Sequence, residues 1–84
     1  MDQKLYYVYL LRSLSFPDQT YVGFSEDVDV RFSDHNKGKS IHTAKYRPWE
    51  LVCYHAFTDM KKAKTFEAYL KTGSGRAFAS KRFW

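Results

Sequence analysis

Two polar side chains stand one helical turn apart in the stretch "VDVRFSDH". If the stretch is helical, a step of about 100° per residue places Arg31 and His35 beside Val28 and Phe32, the apolar residues expected to face inward. A guanidinium in this position can hold a phosphate through two parallel hydrogen bonds. The neighbouring imidazole can take up a proton close to neutral pH. The spacing therefore indicates chemistry on a phosphate group.

A carboxylate occupies the same kind of position in a second predicted helix. Glu67 falls between Ala63 and Leu70 in the i, i+4, i+7 series of the inner face, and it is the only acidic residue after Asp59. A carboxylate on an inner face is costly unless it is paired or binds a metal. Glu67 is therefore a candidate oxygen ligand for a divalent cation.

Three tyrosines in β-like runs extend this set. Tyr7 and Tyr9 alternate onto one face of the first run, and Tyr21 lies in the second. A phenol hydroxyl that faces a phosphate can orient a water molecule or accept its proton. Because the ordinary pKa of tyrosine is about 10, the role of base needs nearby positive charge or a partner that takes the proton. His35 is a candidate for that partner.

A purely structural interpretation of these residues stays open. Arg31 and Glu67 can form one ion pair at the edge of the core, with His35 satisfied by a hydrogen bond and the tyrosines packed inside. In the functional interpretation, the same residues line a shared cleft suited to phosphoryl chemistry, where positioning and charge neutralisation supply most of the catalysis. The three histidines and Cys53 lack a zinc-site spacing, and no Gly-rich phosphate loop is present.

Three strands must position the tyrosines. Residues 4–13 are apolar on both alternating faces, which is typical of a strand covered on both sides. A turn at Pro17-Asp18 joins this run to a second one over 20–24, so the two are predicted to form an antiparallel hairpin. A third strand is predicted over 50–57. Gly23, next to the second run's valine, is expected to give the backbone room to turn.

Helices must carry the charged residues. Ser25 or Asp27 can cap a helix that begins near Val28 and ends at Gly38. Residues 39–49 show no clear period and are predicted to be a long basic loop.

Two more helices are predicted in the last third of the chain. Thr58 or Asp59 can cap a helix over 60–72 that ends at Gly73, and Ser74 can cap the last one. The order is then β-β-α-β-α-α in a single domain over 1–84. This order predicts an α/β (α+β) fold, with helices packed on a three-stranded antiparallel sheet.

Composition narrows the class of protein. The first apolar run is too short for a signal peptide, and no stretch approaches the roughly 20 apolar residues of a membrane span. Cys53 lies alone in an apolar run, so we expect it to pack in the core of a cytoplasmic protein with no membrane association. The oligomeric state stays open.

Positive charge is concentrated in the second half of the chain. Residues 1–35 hold three basic and six acidic side chains, whereas residues 61–84 hold seven basic and one acidic. This asymmetry indicates either a polyanionic partner or a solvated surface with surplus lysine. The candidate nucleic-acid contacts are Lys37, Lys39, Lys45, Arg47, Lys71 and Arg76.

The set of motifs resembles the GIY-YIG nuclease family. The first motif is present as "YVY" at 7–9 and the second as "YVG" at 21–23, followed by Arg31, His35 and Glu67 in the family's order and spacing. The resemblance covers residues 6–83 and extends to the family's small bacterial members. It implies metal-dependent hydrolysis of DNA phosphodiester bonds on a β-β-α-β-α-α fold.

The resemblance also implies a role for each residue. Tyr9 acts as the general base or assists it, and Tyr21 lies by the scissile phosphate. Arg31 stabilises the phosphorane-like transition state, and Glu67 binds a single Mg²⁺ or Mn²⁺ ion. His35 matches the His or Tyr that some members carry one turn after the arginine.

The sequence departs from the family pattern within the two motifs and late in the chain. Valine stands where both motifs have a central isoleucine, at Val8 and Val22. Tyr7 stands where the first motif has glycine, and no asparagine follows Asn36, so the late asparagine of several members has no counterpart. Three functions follow as hypotheses. The chain is a DNA endonuclease acting on branched, flapped or duplex DNA in repair or recombination, with specificity supplied by a protein partner. Alternatively, it is a nucleic-acid-binding module without useful catalysis, or a protein-interaction domain of a repair complex.

Overall fold

A three-stranded antiparallel sheet with helices on both faces forms the domain. The computed structural model describes residues 3–84, and the strand order is β2-β1-β3. The strands are β1 (Tyr6–Ser13), β2 (Thr20–Ser25) and β3 (Trp49–Phe57). The helices are α1 (Val28–Asn36), α2 (Ile41–Ala44), α3 (Met60–Leu70) and α4 (Gly73–Arg82). The predicted α+β fold with its three-stranded sheet is confirmed.

The central strand β1 is covered on both faces, as its sequence predicts. Val8 and Leu10 point to one side and Tyr9 and Leu11 to the other, and all four are fully buried. The first side, here the α3 face, is closed by Ala63, Leu70 and Ala79. The second side, here the α1 face, is closed by Val28 and Trp49. Each face therefore has its own small core.

Local signals end the strands and begin α1 where the sequence predicts. The Pro17-Asp18 turn closes with the backbone N–H of Gln19 donating to the carbonyl of Phe16 at 2.8 Å. Asp27 is the cap of α1, because its side chain accepts from the backbone N–H of Val30 at 3.1 Å. Such a cap satisfies one of the free N–H groups of the first turn.

Gly38 ends α1 as predicted. Its φ angle of 77° lies in the left-handed region, which favours glycine. The N–H of Gly38 donates to the carbonyl of His35, and that of Lys39 donates to the carbonyl of Asp34. These bonds satisfy the last free carbonyls of the helix.

Three local predictions are wrong. The segment predicted as a loop over 39–49 contains the short helix α2 and the first residue of β3. Gly73 does not end a helix: α3 ends at Leu70, and Gly73 begins α4. The cap of α4 is Thr72 rather than Ser74, since the Thr72 hydroxyl accepts from the N–H of Gly75 at 3.1 Å.

The remaining expectations concern Cys53, the cap of α3 and the membrane. Cys53 is half-buried and packs against the α3-face core, and burial raises the pKa of its thiol. Asp59, not Thr58, caps α3, since it accepts from the N–H of Lys61 at 2.8 Å. No helix within residues 3–84 is long and apolar enough to span a membrane.

Candidate active site

A buried chain of three polar side chains crosses the α1 face. The hydroxyl oxygen of Tyr9 lies 2.9 Å from Nε2 of His35, and Nδ1 of His35 lies 2.7 Å from the hydroxyl oxygen of Thr43. Tyr9 and His35 are at most 1% exposed, and Thr43 is 2% exposed. This hydrogen-bonded chain of side chains joins β1, α1 and α2, and its buried polar atoms all have hydrogen-bond partners.

The opposite strand makes room for the ring of Tyr9. The antiparallel register pairs Tyr9 with Gly23 of β2. A Cβ atom at Gly23 would lie 2.4 Å from both Cζ and the hydroxyl oxygen of Tyr9 and 2.9 Å from Cε2 of Tyr21. Gly23 lies inside a strand and its φ is not positive. The expectation that it lets the backbone turn is therefore wrong: it is needed because the two tyrosine side chains occupy the space of a side chain.

The second tyrosine lies against the same imidazole. The ring centroid of Tyr21 is 4.8 Å from that of His35 and 6.1 Å from that of Tyr9. Tyr21 is half-buried on β2, whereas Tyr9 is fully buried, so Tyr21 is the tyrosine closer to solvent. Tyr7 lies on the same face of β1 as Tyr9, as predicted, and packs edge-on against Tyr54 at 5.7 Å.

Arg31 lies at the exposed rim of this cluster. It precedes His35 by one turn of α1 and is itself exposed, while His35 points into the core. The nearby Tyr9 raises the pKa of the guanidinium above its ordinary value, and Tyr21 and Asp34 act in the same direction. The guanidinium therefore sits beside both phenols and keeps its charge at the surface.

The environment sets the protonation of the buried groups. Burial raises the pKa of Tyr9 to about 12, although the neighbouring Arg31 acts in the opposite direction. Burial, and then the charge of Arg31, lower the pKa of His35, which Asp34 partly offsets. At neutral pH, Tyr9 is thus a phenol and His35 a neutral imidazole that can accept its proton.

Glu67 lies apart from this cluster. Its carboxylate is paired with Nζ of Lys71 at 3.0 Å on α3, with the Glu67 side chain 22% exposed. The structural ion pair between Arg31 and Glu67 does not form in the described residues, and the carboxylate is paired with Lys71 instead. Within residues 3–84, no group of three or more His, Cys, Asp and Glu side chains is arranged to hold a metal ion.

A cavity at the open edge of β2 connects the two regions. Tyr21 and Lys71 both line it, and we call it the edge groove. Lys71 donates a hydrogen bond to Glu67, so the partner of this carboxylate lies on the same surface as Tyr21. Glu67 does not itself line the groove, and Lys71 is the residue that links the carboxylate to it.

The predicted nucleic-acid contacts form two groups. All six are exposed: Lys37, Lys39, Lys45 and Arg47 follow α1 and surround α2, while Lys71 and Arg76 lie at the junction of α3 and α4. Lys39 is paired with Asp34 at 3.4 Å, and Nζ of Lys45 lies 5.2 Å from the ring centroid of Tyr46. Their contact with nucleic acid stays a prediction.

Thr43 is the member of the site that sequence reasoning missed. It lies in α2, which was not predicted, so nothing placed its hydroxyl beside His35. Its backbone is fixed by Trp49, whose indole N–H donates to the Thr43 carbonyl at 3.0 Å. Trp49 is held in turn by Asn36, because the backbone N–H of Trp49 donates to the side-chain amide oxygen of Asn36 at 2.6 Å. A weak signal was available in Ser40, which occupies the cap position of α2.

Comparison with known proteins decides the family. The model of the GIY-YIG catalytic domain matches residues 5–81. This chain belongs to the GIY-YIG family. Its two family motifs lie side by side, because Tyr9 of the first pairs with Gly23 of the second.

Two kinds of GIY-YIG relative are similar to the chain. A UPF0213 protein of Lacticaseibacillus paracasei is 38% identical over 84% of this chain and 79% of its own length. The structure-specific endonuclease subunit SLX1 of Malassezia globosa is also 38% identical, over 76% of this chain. The chain spans only 15% of the length of that fungal subunit.

A solved structure has the same fold. The NMR structure of a UPF0213 protein from Bacillus halodurans superposes with a TM-score of 0.56 at 28% identity. The match covers 94% of this chain and 86% of the other. This small relative therefore shares the architecture over nearly the whole domain.

Proposed function

We propose that this GIY-YIG chain is a metal-dependent endonuclease that hydrolyses DNA phosphodiester bonds, in DNA repair or recombination in the cytoplasm. The observation that carries the proposal is the buried hydrogen-bonded chain Tyr9–His35–Thr43. Its Tyr9 end lies beside the exposed guanidinium of Arg31. A proton acceptor and a phosphate-binding cation thus lie together. The name of the fungal relative, a structure-specific endonuclease subunit, supports the same activity.

Binding of the phosphate falls to the groups at the surface. Arg31 donates to the non-bridging oxygens and neutralises the negative charge that grows on them as a nucleophile attacks the phosphorus. Tyr21, which is half-buried between the cluster and solvent, orients the scissile phosphate or the attacking water.

The proton of the attacking water leaves through Tyr9. Because the pKa of Tyr9 is about 12, the phenol holds its proton at neutral pH and cannot act alone. As Tyr9 accepts a proton from water, its own proton passes to Nε2 of His35, 2.9 Å away. The imidazolium then donates its Nδ1–H to Thr43 at 2.7 Å. The water oxygen bonds to phosphorus as the phosphorus–oxygen bond to the leaving nucleotide breaks. The leaving oxygen then takes up a proton from solvent, and the imidazolium of His35 releases its proton to solvent, which restores the neutral imidazole.

Glu67 fits the role of ligand for one Mg²⁺ or Mn²⁺ ion. Its half-buried side chain offers hard carboxylate oxygens, and Mg²⁺ is commonly held by one or two carboxylates, substrate phosphate oxygens and water. The ion would stabilise charge on the phosphate and the leaving oxygen. Lys71, now paired with Glu67, would be released toward the DNA backbone.

We further propose that a protein partner supplies the choice of DNA structure. The relative named as an endonuclease subunit supports this, since a subunit acts with another chain. The exposed cations at the junction of α3 and α4, Lys71 and Arg76, would then contribute general affinity for the phosphate backbone, which depends strongly on salt.

Incubation of the purified chain with flapped, branched, nicked and duplex DNA tests the proposal. Cleavage is expected with Mg²⁺ or Mn²⁺ and is expected to stop when EDTA is added. Arg31→Ala should reduce cleavage by about 10²–10³-fold, while Lys62→Ala, an equal loss of charge at an exposed position of α3, should retain it. Salt-sensitive DNA binding without cleavage of any substrate would replace the proposal with a binding module. Absence of both would indicate a protein-interaction domain.

A further inference from the structure

The edge groove has a lining that the catalytic proposal does not use. It has a volume of about 600 Å³ and opens between the start of β2 and the junction of α3 and α4. Three cations line it, Arg12, Lys71 and Arg76, against one carboxylate, Asp18. Since β2 is an edge strand, no further strand covers this side of the sheet within residues 3–84. The groove is thus open and positively charged.

An aromatic wall of the groove is held in place. Trp84 lines it, and its backbone carbonyl accepts from the guanidinium of Arg12 at 2.9 Å. The same guanidinium lies 5.6 Å from the centroid of the Trp84 ring. Trp84 also packs against the α3-face core. The indole is therefore ordered before any ligand binds, which reduces the entropic cost of binding.

The groove adjoins the site of the proposed chemistry. Tyr21 forms part of its wall and also lies 4.8 Å, between ring centroids, from His35. Lys71 forms another part and is bonded to Glu67. A chain of nucleotides that passes Tyr21 therefore enters this groove on one side.

We propose that the edge groove binds an unpaired nucleotide next to the cleaved bond, so that the preferred substrate has a single-stranded arm. This inference rests on the proposed nuclease function. Lys71 and Arg76 contact the phosphate, and the base stacks on Trp84. Cations combined with an aromatic platform are the usual means of binding single strands without sequence preference. The volume suits one small-molecule-sized group and is far too small for a double helix.

Tryptophan fluorescence provides a direct test of binding. The chain has two tryptophans, and Trp49 is 3% exposed in the α1-face core, so quenching by a base reports on Trp84. A short oligothymidylate, added to the Glu67→Gln protein to prevent cleavage, should quench the fluorescence. A blunt duplex of the same length should quench it much less.

Two substitutions separate the contacts. Trp84→Phe keeps an aromatic ring, so it should retain binding while removing the fluorescence quenching. Trp84→Ala should weaken the affinity for oligothymidylate, measured by anisotropy, by roughly 5- to 100-fold. Arg76→Ala, at an exposed position, should weaken it as well, whereas Lys81→Ala, an equal charge loss on α4 outside the groove, should not. Equal losses of affinity in Arg76→Ala and Lys81→Ala would overturn the inference. Equal quenching by the blunt duplex and by oligothymidylate would overturn it as well.

Cleavage assays distinguish this inference from the proposed function. Arg76→Ala should reduce cleavage of flapped DNA more than that of nicked duplex. If the wild-type chain cleaves both by a Glu67-dependent route and Arg76→Ala leaves their ratio unchanged, the groove assignment is wrong and the nuclease assignment stands. Quenching by oligothymidylate in a chain that cleaves no DNA would support the groove and contradict the nuclease.

Discussion

The hydroxyl oxygen of Tyr9 lies 2.9 Å from Nε2 of His35, and both side chains are buried in the α1-face core. The surroundings move the two pKa values apart, since burial raises that of Tyr9 to about 12 and lowers that of His35. Before reaction the proton therefore rests on the phenol, and the imidazole is free to receive it. A tyrosine that is too weak an acid to ionise at neutral pH gains a route for proton transfer.

The first prediction is the pH dependence of cleavage. The rate should rise as the pH increases through the pKa of His35 and then level off, because only neutral imidazole accepts the proton. The midpoint of this rise should lie below the ordinary histidine pKa of 6.5, since burial and Arg31 lower the pKa of His35. Tyr9, Tyr21 and Asp34 are the other titratable groups that face the ring. His42→Gln, at an exposed position, should leave this midpoint unchanged. A rate that keeps rising into the alkaline range would instead mean that Tyr9 must ionise beforehand.

The same group makes folding stability depend on pH. In the unfolded chain His35 binds its proton at the ordinary value of 6.5, and in the folded chain only at lower pH. The unfolded state thus takes up more protons as the pH falls below 6.5, so the free energy of unfolding should decrease there. Urea melts of wild type and His35→Gln across this range should show a smaller loss in the variant.

A second prediction concerns Thr43. Thr43→Val keeps the shape of the side chain but removes the acceptor of the Nδ1–H, so the imidazolium is left unsatisfied. Leaving a buried polar group unpaired costs about 1–3 kcal/mol, so kcat should fall by roughly 5- to 100-fold with little change in KM. The pKa of His35, followed by NMR, should decrease further.

Thr43→Ser is the matched control, because it restores the hydroxyl and should recover most of the rate. If serine and valine reduce kcat equally, or if both change only the melting temperature, Thr43 has a packing role alone.

The third prediction uses two glycines. Gly23→Ala would place a Cβ 2.4 Å from the ring of Tyr9, so the ring must move. Overpacking of this kind costs about 1–3 kcal/mol of unfolding free energy, and the displaced phenol should also lose activity. Gly73→Ala is the control, since a Cβ there meets nothing within 4 Å. It should change stability by less than about 1 kcal/mol. Equal melting temperatures for the two variants would contradict the proposed role of Gly23.

Periodicity predicted the sheet and the long helices because each buries one or two regular faces. β1 has apolar residues on both faces, and the spacing of Arg31 and His35 follows from helix geometry alone. The short helix α2 has only four residues, so it carries no period. The start of α4 was misplaced because glycine is compatible with either end of a helix, and the side chain of Thr72 decides between them.

The partners within the site could not be predicted, because they depend on how separate elements meet. Thr43 reaches His35 only after α2 is placed against α1, and the role of Gly23 depends on the register that pairs it with Tyr9. Glu67 was expected on an inner face, and its side chain is only 22% exposed, but its partner is Lys71 rather than Arg31. Residue types indicated the chemistry, whereas the contacts required the fold.

A fourth prediction separates the catalytic from the structural role of Arg31. Because the side chain is exposed, Arg31→Ala should change the free energy of unfolding by less than about 0.5 kcal/mol. Its loss from the transition state should lower kcat by about 10²–10³-fold. Arg31→Lys should recover only part of this, since lysine cannot form the two parallel bonds. A variant with a much lower melting temperature and nearly normal kcat would show that the residue serves the fold.

The most direct test is single-turnover cleavage of a flapped DNA by the wild-type chain and by Glu67→Gln, each titrated with Mn²⁺. Glutamine keeps the size of the side chain but removes the charge that holds the cation. The wild type should cleave with a saturable dependence on Mn²⁺, and Glu67→Gln should lose at least about 100-fold in rate while keeping its melting temperature and its affinity for DNA. Equal rates for the two proteins, or cleavage by the wild type in EDTA, would contradict a metal-dependent nuclease centred on these residues.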